Sequence, residues 1–200
     1  MTTTQVRRSS AETRAHVLAV AGELFYTDGI RATGIDRVAA AAGVAPTTLY
    51  RLFASKDDLI AAYLEDGREH YLAWLDRGLS AAGTPAERLL AAFDEQAAAA
   101  ASEGFRGCPF LMALAEFPDP AHPAHATAVR TKAEVRDRLR AVAAELPDPD
   151  GLTDRLLLVM EGVYATIQAF GPDGPAVQAR AVAELILSAV PRRRGRRPAR

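Results

Sequence analysis

The chain of 200 residues holds a single cysteine, Cys108, so no disulfide can staple it to itself. A reducing, cytoplasmic setting is the expectation that follows. No stretch approaches the about 18–20 continuous apolar residues of a membrane span, and residues 1–10 are polar with no apolar core, so neither an anchor nor a signal peptide is expected. Lysine is almost missing: Lys56 and Lys132 are the two, and arginine supplies the remaining positive charge. Together with abundant alanine, that points to a GC-rich genome rather than to a mechanism. Catalytic signatures are also missing. There is no G-x-S-x-G, phosphate-binding P-loop, dinucleotide-binding glycine pattern or H-E-x-x-H, so no enzyme activity and no cofactor are expected. The four histidines (His16, His70, His122, His125) lie far from any credible nucleophile.

What is present is ordinary globular composition, 49% hydrophobic and 24% charged, with a formal net charge of −1. The charge is uneven. Residues 1–60 carry seven basic and six acidic side chains, 61–190 eleven against nineteen, and 191–200 six arginines with no acid. A near-neutral head on an acidic body lacks the broad basic surface of a non-specific nucleic-acid coat, so any DNA binding must be local and geometric.

Helix signals recur and no segment alternates with the two-residue period of a strand. Ser9 with Glu12 forms a capping box that opens a helix ending near Gly29. Thr33 with Asp36 opens a short second helix that stops before Gly43. Pro46 takes the first position of a third, running to about Phe53. Ser55 with Asp58 opens a long fourth, for which Gly78 is the expected stop. Thr84, Pro85 and Glu87 combine cap, N1 proline and N3 glutamate. Later helices are expected over 109–117, 125–146, 152–170 and 175–190, with 147–150 as a linker and a disordered arginine-rich tail from Pro191.

Residues 33–59 carry the functional signal. A short helix, a turn at Ala42-Gly43-Val44 and a second short helix have the dimensions of a bihelical DNA-reading unit. Val38, Ala39 and Leu49 supply its small apolar contact, and Gly43 suits the turn. The second helix offers Thr47, Thr48 and Arg51 at its exposed end, with Tyr50 beside them and Pro46 at N1. Arg51 can pair with a guanine, and Lys56 at the next helix start is placed to attract phosphate.

The series Phe25, Gly29, Thr33-Gly34-Ile35, Val38-Ala39, Ala42-Gly43-Val44, Leu49-Tyr50, Phe53, Ser55-Lys56-Asp57, Leu59 resembles the amino-terminal signature of TetR-type transcriptional regulators, without a gap. The resemblance implies an all-α fold: a three-helix DNA-binding domain, a helical effector-binding domain, and a homodimer that represses until a small molecule binds. It implies phosphate contacts from Thr33, Tyr50 and Lys56, and base reading by Thr47, Thr48 and Arg51. Two positions depart from the pattern. Ala45 stands where Ser or Thr commonly caps the recognition helix, which removes about 1 kcal/mol of capping, and Leu52 occupies a position often aromatic or His.

In the body, residues 152–170 are apolar nearly all round, and 175–190 carry only a narrow polar stripe of Arg180, Glu184 and Ser188. Leu156, Val159, Val163, Ile167, Val182, Leu185 and Ile186 are the expected dimer interface, in a two-fold four-helix bundle; core helices of a monomer are the alternative. Tyr63, Gly67, Tyr71, Trp74, Phe93, Phe110, Met112 and Tyr164 are the expected pocket for an apolar or aromatic effector, although each such residue is more often plain core than pocket wall. Glu116 either orients a polar group of that ligand or is an exposed helix-end carboxylate. Cys108 is an inert small residue or a thiol at a helix start. Loop histidines near Asp119 do not form a recognised metal pattern, so no metal is expected.

The expected organisation is a helix-turn-helix domain over 1–54, a ligand-binding and dimerisation domain over 55–190, and the tail over 191–200. The tail either adds sequence-independent DNA attraction or is a solvated end. Expected partners are a palindromic double-stranded operator, a small-molecule effector and a second copy, with no membrane. Two alternatives stay open: a non-enzymatic protein-interaction module on the same scaffold, and a DNA binder without an effector.

Overall fold

The structure, a computed structural model, describes residues 9–102 and 104–189. Residues 1–8 and the arginine tail lie outside them. Every regular element among the described residues is helical: α1 (Ser10–Asp28), α2 (Ile35–Ala41), α3 (Pro46–Leu52), α4 (Lys56–Leu79), α5 (Pro85–Ala100), α6 (Pro109–Glu116), α7 (Pro123–Ala143), α8 (Pro149–Phe170) and α9 (Ala179–Ser188), with a 3-10 turn (Pro175–Gln178) before α9. The all-α expectation therefore stands. None of these helices is long and apolar enough to cross a membrane.

The starts obey local chemistry. Ser9 and Glu12 close a reciprocal capping box on α1, and Thr84 and Glu87 do the same on α5 with Pro85 behind the cap. Four expected boundaries are corrected. α2 is entered from Gly34 with no side-chain cap, because the Thr33 hydroxyl turns the other way, to the carbonyls of Leu24 and Gly29. α4 runs through Gly78 to Leu79, since the glycine serves a helix crossing rather than a stop: a Cβ there would lie 2.5 Å from the Ala92 Cα of α5. α8 begins at Pro149, so the expected linker is its first turn; Asp148, at φ 52°, caps it by accepting from the Gly151 N–H. The final helix is interrupted, the 3-10 turn taking up its first four residues.

Packing divides the chain into two compact units. The first takes the described chain up to Arg68 together with Pro109–Val129, and the second takes Glu69–Cys108 together with the chain from Arg130 onward. This division differs from a cut at residue 54, because α6 and the start of α7 pack with the amino-terminal helices. Buried side chains of the first unit include Val17, Phe25, Ile30, Val38, Leu49, Phe53, Leu64 and Phe110. Those of the second include Leu75, Leu89, Leu139, Leu152, Leu156 and Met160.

Candidate nucleic-acid interface

The turn between α2 and α3 is held by backbone bonds, Gly43 N–H to the Ala40 carbonyl at 3.1 Å and Val44 N–H to the Ala39 carbonyl at 3.0 Å. Gly43 adopts φ +64°, a left-handed conformation that side chains other than glycine resist. α3 is then entered from Ala45 without a side-chain cap, with Pro46 at the first position. Leu49 is fully buried and Phe53 nearly so, which anchors one face of the helix. Pro46, Thr47, Tyr50 and Arg51 are exposed on the other, and Thr48 is half-buried at its edge. Tyr50 is 52% exposed, high for an aromatic side chain. Arg51 has no hydrogen-bond or ion-pair partner among the described residues. A hydroxyl, a phenol and an uncommitted guanidinium on one outward face are the groups that hydrogen-bond phosphates and base edges.

The other two expected phosphate contacts fare differently. Lys56, half-buried at the start of α4, donates from Nζ to the Arg31 carbonyl at 3.2 Å; an ammonium has three donors, so two are left for phosphate. Thr33 is corrected. It is 0% exposed and its hydroxyl donates to the carbonyls of Gly29 (2.8 Å) and Leu24 (3.3 Å), so its side chain ties α1 to the turn that follows instead of reaching DNA.

The expected pocket residues separate into the two units. In the first, Tyr63 packs edge-on against Phe25 at 5.5 Å, Gly67 faces Phe110, and Met112 is half-buried. Glu116 accepts the backbone N–H groups of Ile30 and Arg31, a role that sequence reasoning missed. In the second, Tyr71, Trp74 and Tyr164 form an aromatic cluster, with ring centroids 4.7 Å apart for Tyr71–Trp74 and 6.2 Å for Tyr71–Tyr164. Lys132 lies 5.1 and 5.2 Å from the Tyr71 and Tyr164 rings while its Nζ donates to both oxygens of Glu161. Burial, foremost, and then neighbouring Tyr164 raise the Tyr71 phenol well above its ordinary range; burial likewise raises Tyr164.

A cavity of about 360 Å³ opens elsewhere in the second unit, among α5, α8, the 3-10 turn and α9. Phe93, Ala97, Ala100, Val163 and Ile167 are among its walls, so of the expected pocket residues it keeps Phe93. Gln96 also lines it; its Nε2 donates to the Met160 carbonyl at 2.9 Å, and its Oε1 has no partner among the described residues. Arg180 on the rim pairs with Asp94 at 2.7 Å and with Glu184. The signal in the sequence was the run of alanines on α5, whose short side chains leave the space.

Three expected interface residues are corrected as well. Leu156, Val163 and Ile167 face inward and are buried within the chain, as positions on the covered stripe of α8. Leu158, absent from the expected set, is 73% exposed, Leu185 is 69% exposed and Val182 is exposed, with Val159 and Ile186 half-buried. Cys108 is buried, and no group of three or more metal-ligating side chains occurs among the described residues.

A short helix anchored by Leu49 and Phe53, presented after a tight glycine turn in an all-helical chain, defines a helix-turn-helix DNA-binding regulator. The family model "Bacterial regulatory proteins, tetR family" matches residues 17–63. SCO4454, a TetR-family transcriptional regulator from Streptomyces coelicolor, is 33% identical over 90% of this chain and 96% of its own, with a TM-score of 0.86. The HTH-type transcriptional regulator YjdC of Escherichia coli (strain K12) is 25% identical over 177 residues, 87% of this chain and 93% of YjdC. A TetR transcriptional regulator from Chloroflexus aurantiacus, 24% identical, shares the fold at a TM-score of 0.80 over 92% of this chain and 98% of that one. The chain belongs to the TetR family of DNA-binding transcriptional regulators.

Proposed function

We propose that the chain acts as a ligand-responsive homodimeric repressor. Two copies place their α3 helices in successive major grooves of a palindromic operator, about 34–36 Å apart, and a small apolar or aromatic effector releases them. The observation that carries the reading is the outward face of α3, where Thr47, Tyr50 and Arg51 stand exposed above a buried Leu49. Support for a second copy is the apolar surface of α8 and α9, Leu158, Val182 and Leu185, which water would otherwise cover. Support for an effector is the apolar cavity beside it, whose about 360 Å³ is at the small end of ligand pockets. Release is a coupling free energy: the effector favours a separation of the two heads that no longer fits two grooves.

Selecting duplexes from a random pool with the purified chain tests this. An inverted repeat with half-site centres about one helical turn, or a multiple, apart is expected. A pool that yields no duplex, or a selected sequence without two-fold symmetry, overturns it. On the selected duplex, Arg51→Ala is expected to lose about 1–3 kcal/mol and relax the choice of base at one position. Lys56→Ala is expected to weaken every sequence alike and lower the salt slope by about one.

A further inference from the structure

Glu116 is the last residue of α6, and its carboxylate reaches back across the sequence to the segment between α1 and α2. Its Oε1 accepts the Ile30 N–H at 3.0 Å and its Oε2 accepts the Arg31 N–H at 2.7 Å. One oxygen on each of two consecutive amides is a charge-assisted arrangement, stronger than a neutral pair. The next peptide group is gripped as well, since the Arg31 carbonyl accepts from the Lys56 ammonium at 3.2 Å. Around it, the Ile30 side chain is buried, the Arg31 guanidinium lies 5.3 Å over the Phe117 ring, and the Thr33 hydroxyl closes onto Gly29. The segment so held runs into α2 at Gly34, where no side chain caps the helix. Its backbone path is therefore what aims α2, and through α2 the reading helix α3.

We propose that Glu116 is a positioning residue for DNA binding: its carboxylate fixes residues 29–33, and with them the angle of the α2–α3 unit, without itself touching DNA. The proposal rests on α3 being the reading helix. It makes α6 an element that sets operator affinity, since any displacement of its end draws on the two amides.

The sign of the effect distinguishes this role from plain electrostatics. Removing an acid from a DNA-binding unit strengthens attraction for phosphate, whereas loss of positioning weakens binding. The experiment measures the affinity of full-length wild type, Glu116→Ala and Glu116→Gln for the duplex that wild type selects from a random pool. Melting midpoints and the NMR signals of the Ile30 and Arg31 amides are recorded alongside, well below the melting transition. Glu116→Ala is expected to bind about tenfold to a hundredfold more weakly. Glu116→Gln, which keeps one acceptor but sets an NH₂ against the second amide, should fall between it and wild type. The salt slope should be unchanged, and both amide signals should move. Variants that stay folded, with shifted amides, and bind as tightly as wild type or tighter overturn the proposal while leaving the reading of α3 intact. A wild-type chain that selects no duplex overturns that reading and the proposal with it. Should Glu116→Ala fail to fold, Glu116→Gln carries the comparison alone.

Discussion

Thr33 shows how one side chain can satisfy a motif and serve a different end. Its place in the family pattern implied a phosphate contact, yet its hydroxyl donates to the carbonyl four residues back and to Leu24. Spacing along a sequence cannot separate these two uses, because a threonine before a helix fits both. Thr33→Val, which keeps the shape and removes the hydroxyl, leaves two half-buried carbonyl oxygens with one donor fewer. It is expected to destabilise the fold by about 1–3 kcal/mol in chemical denaturation and to leave the salt slope of DNA binding unaltered. A salt slope lower by about one would restore the phosphate role. Leu49, Gly43 and Arg51, by contrast, were legible from the sequence, since burial, a left-handed turn and an outward guanidinium each demand a particular residue type. Glu116 was visible only as an acid in an apolar helix; its partners are backbone amides, which leave no trace in a sequence.

Among elements, capping chemistry was the most readable part of the chain. The boxes at Ser9 and Thr84 fix the starts of α1 and α5 where the residues place them. Glycine was less readable because it has two structural uses. At Gly43 it supplies a backbone conformation, while at Gly78 it supplies room: α5 passes so close that a methyl group would meet the Ala92 backbone. Backbone cannot swing aside as a flexible side chain can, so Gly78→Ala is expected to lose about 1–3 kcal/mol from overpacking. That loss outweighs the gain of up to about 1 kcal/mol that alanine brings to a helix interior. Urea denaturation checks the sign, and a stabilised variant would show that α4 and α5 separate at little cost. The cavity was illegible for a related reason. Aromatic residues attracted the sequence reading, but Tyr71, Trp74 and Tyr164 pack on one another, and the open space belongs to alanines.

For the whole molecule, the surface left apolar is what supports the proposed second copy. A stripe of about one inward residue per turn of α8 is enough to build the chain's own core, which is why Leu156 and Ile167 were mistaken for contact residues. The periodicity of a nearly all-apolar helix does not say which side meets its own chain. Leu185→Asp is expected to convert the proposed homodimer to monomers in sedimentation experiments and to reduce binding to a two-half-site duplex far more than to a single half-site. A variant that sediments as the wild type would place the interface elsewhere. All-helical architecture and the reading unit were recoverable from residue pattern; the sharing of segments between units was not, since it depends on contacts across long stretches of sequence.

That sharing bears on how the chain is made. The first unit is discontinuous: α3 and α6 belong to it, with α5 intervening in sequence. A ribosome releases α1, α2 and α3 well before Phe110 and Glu116 exist, so the nascent reading unit must wait, with the Ile30 and Arg31 amides hydrated, until translation has passed residue 116. Vectorial synthesis thus completes this head late.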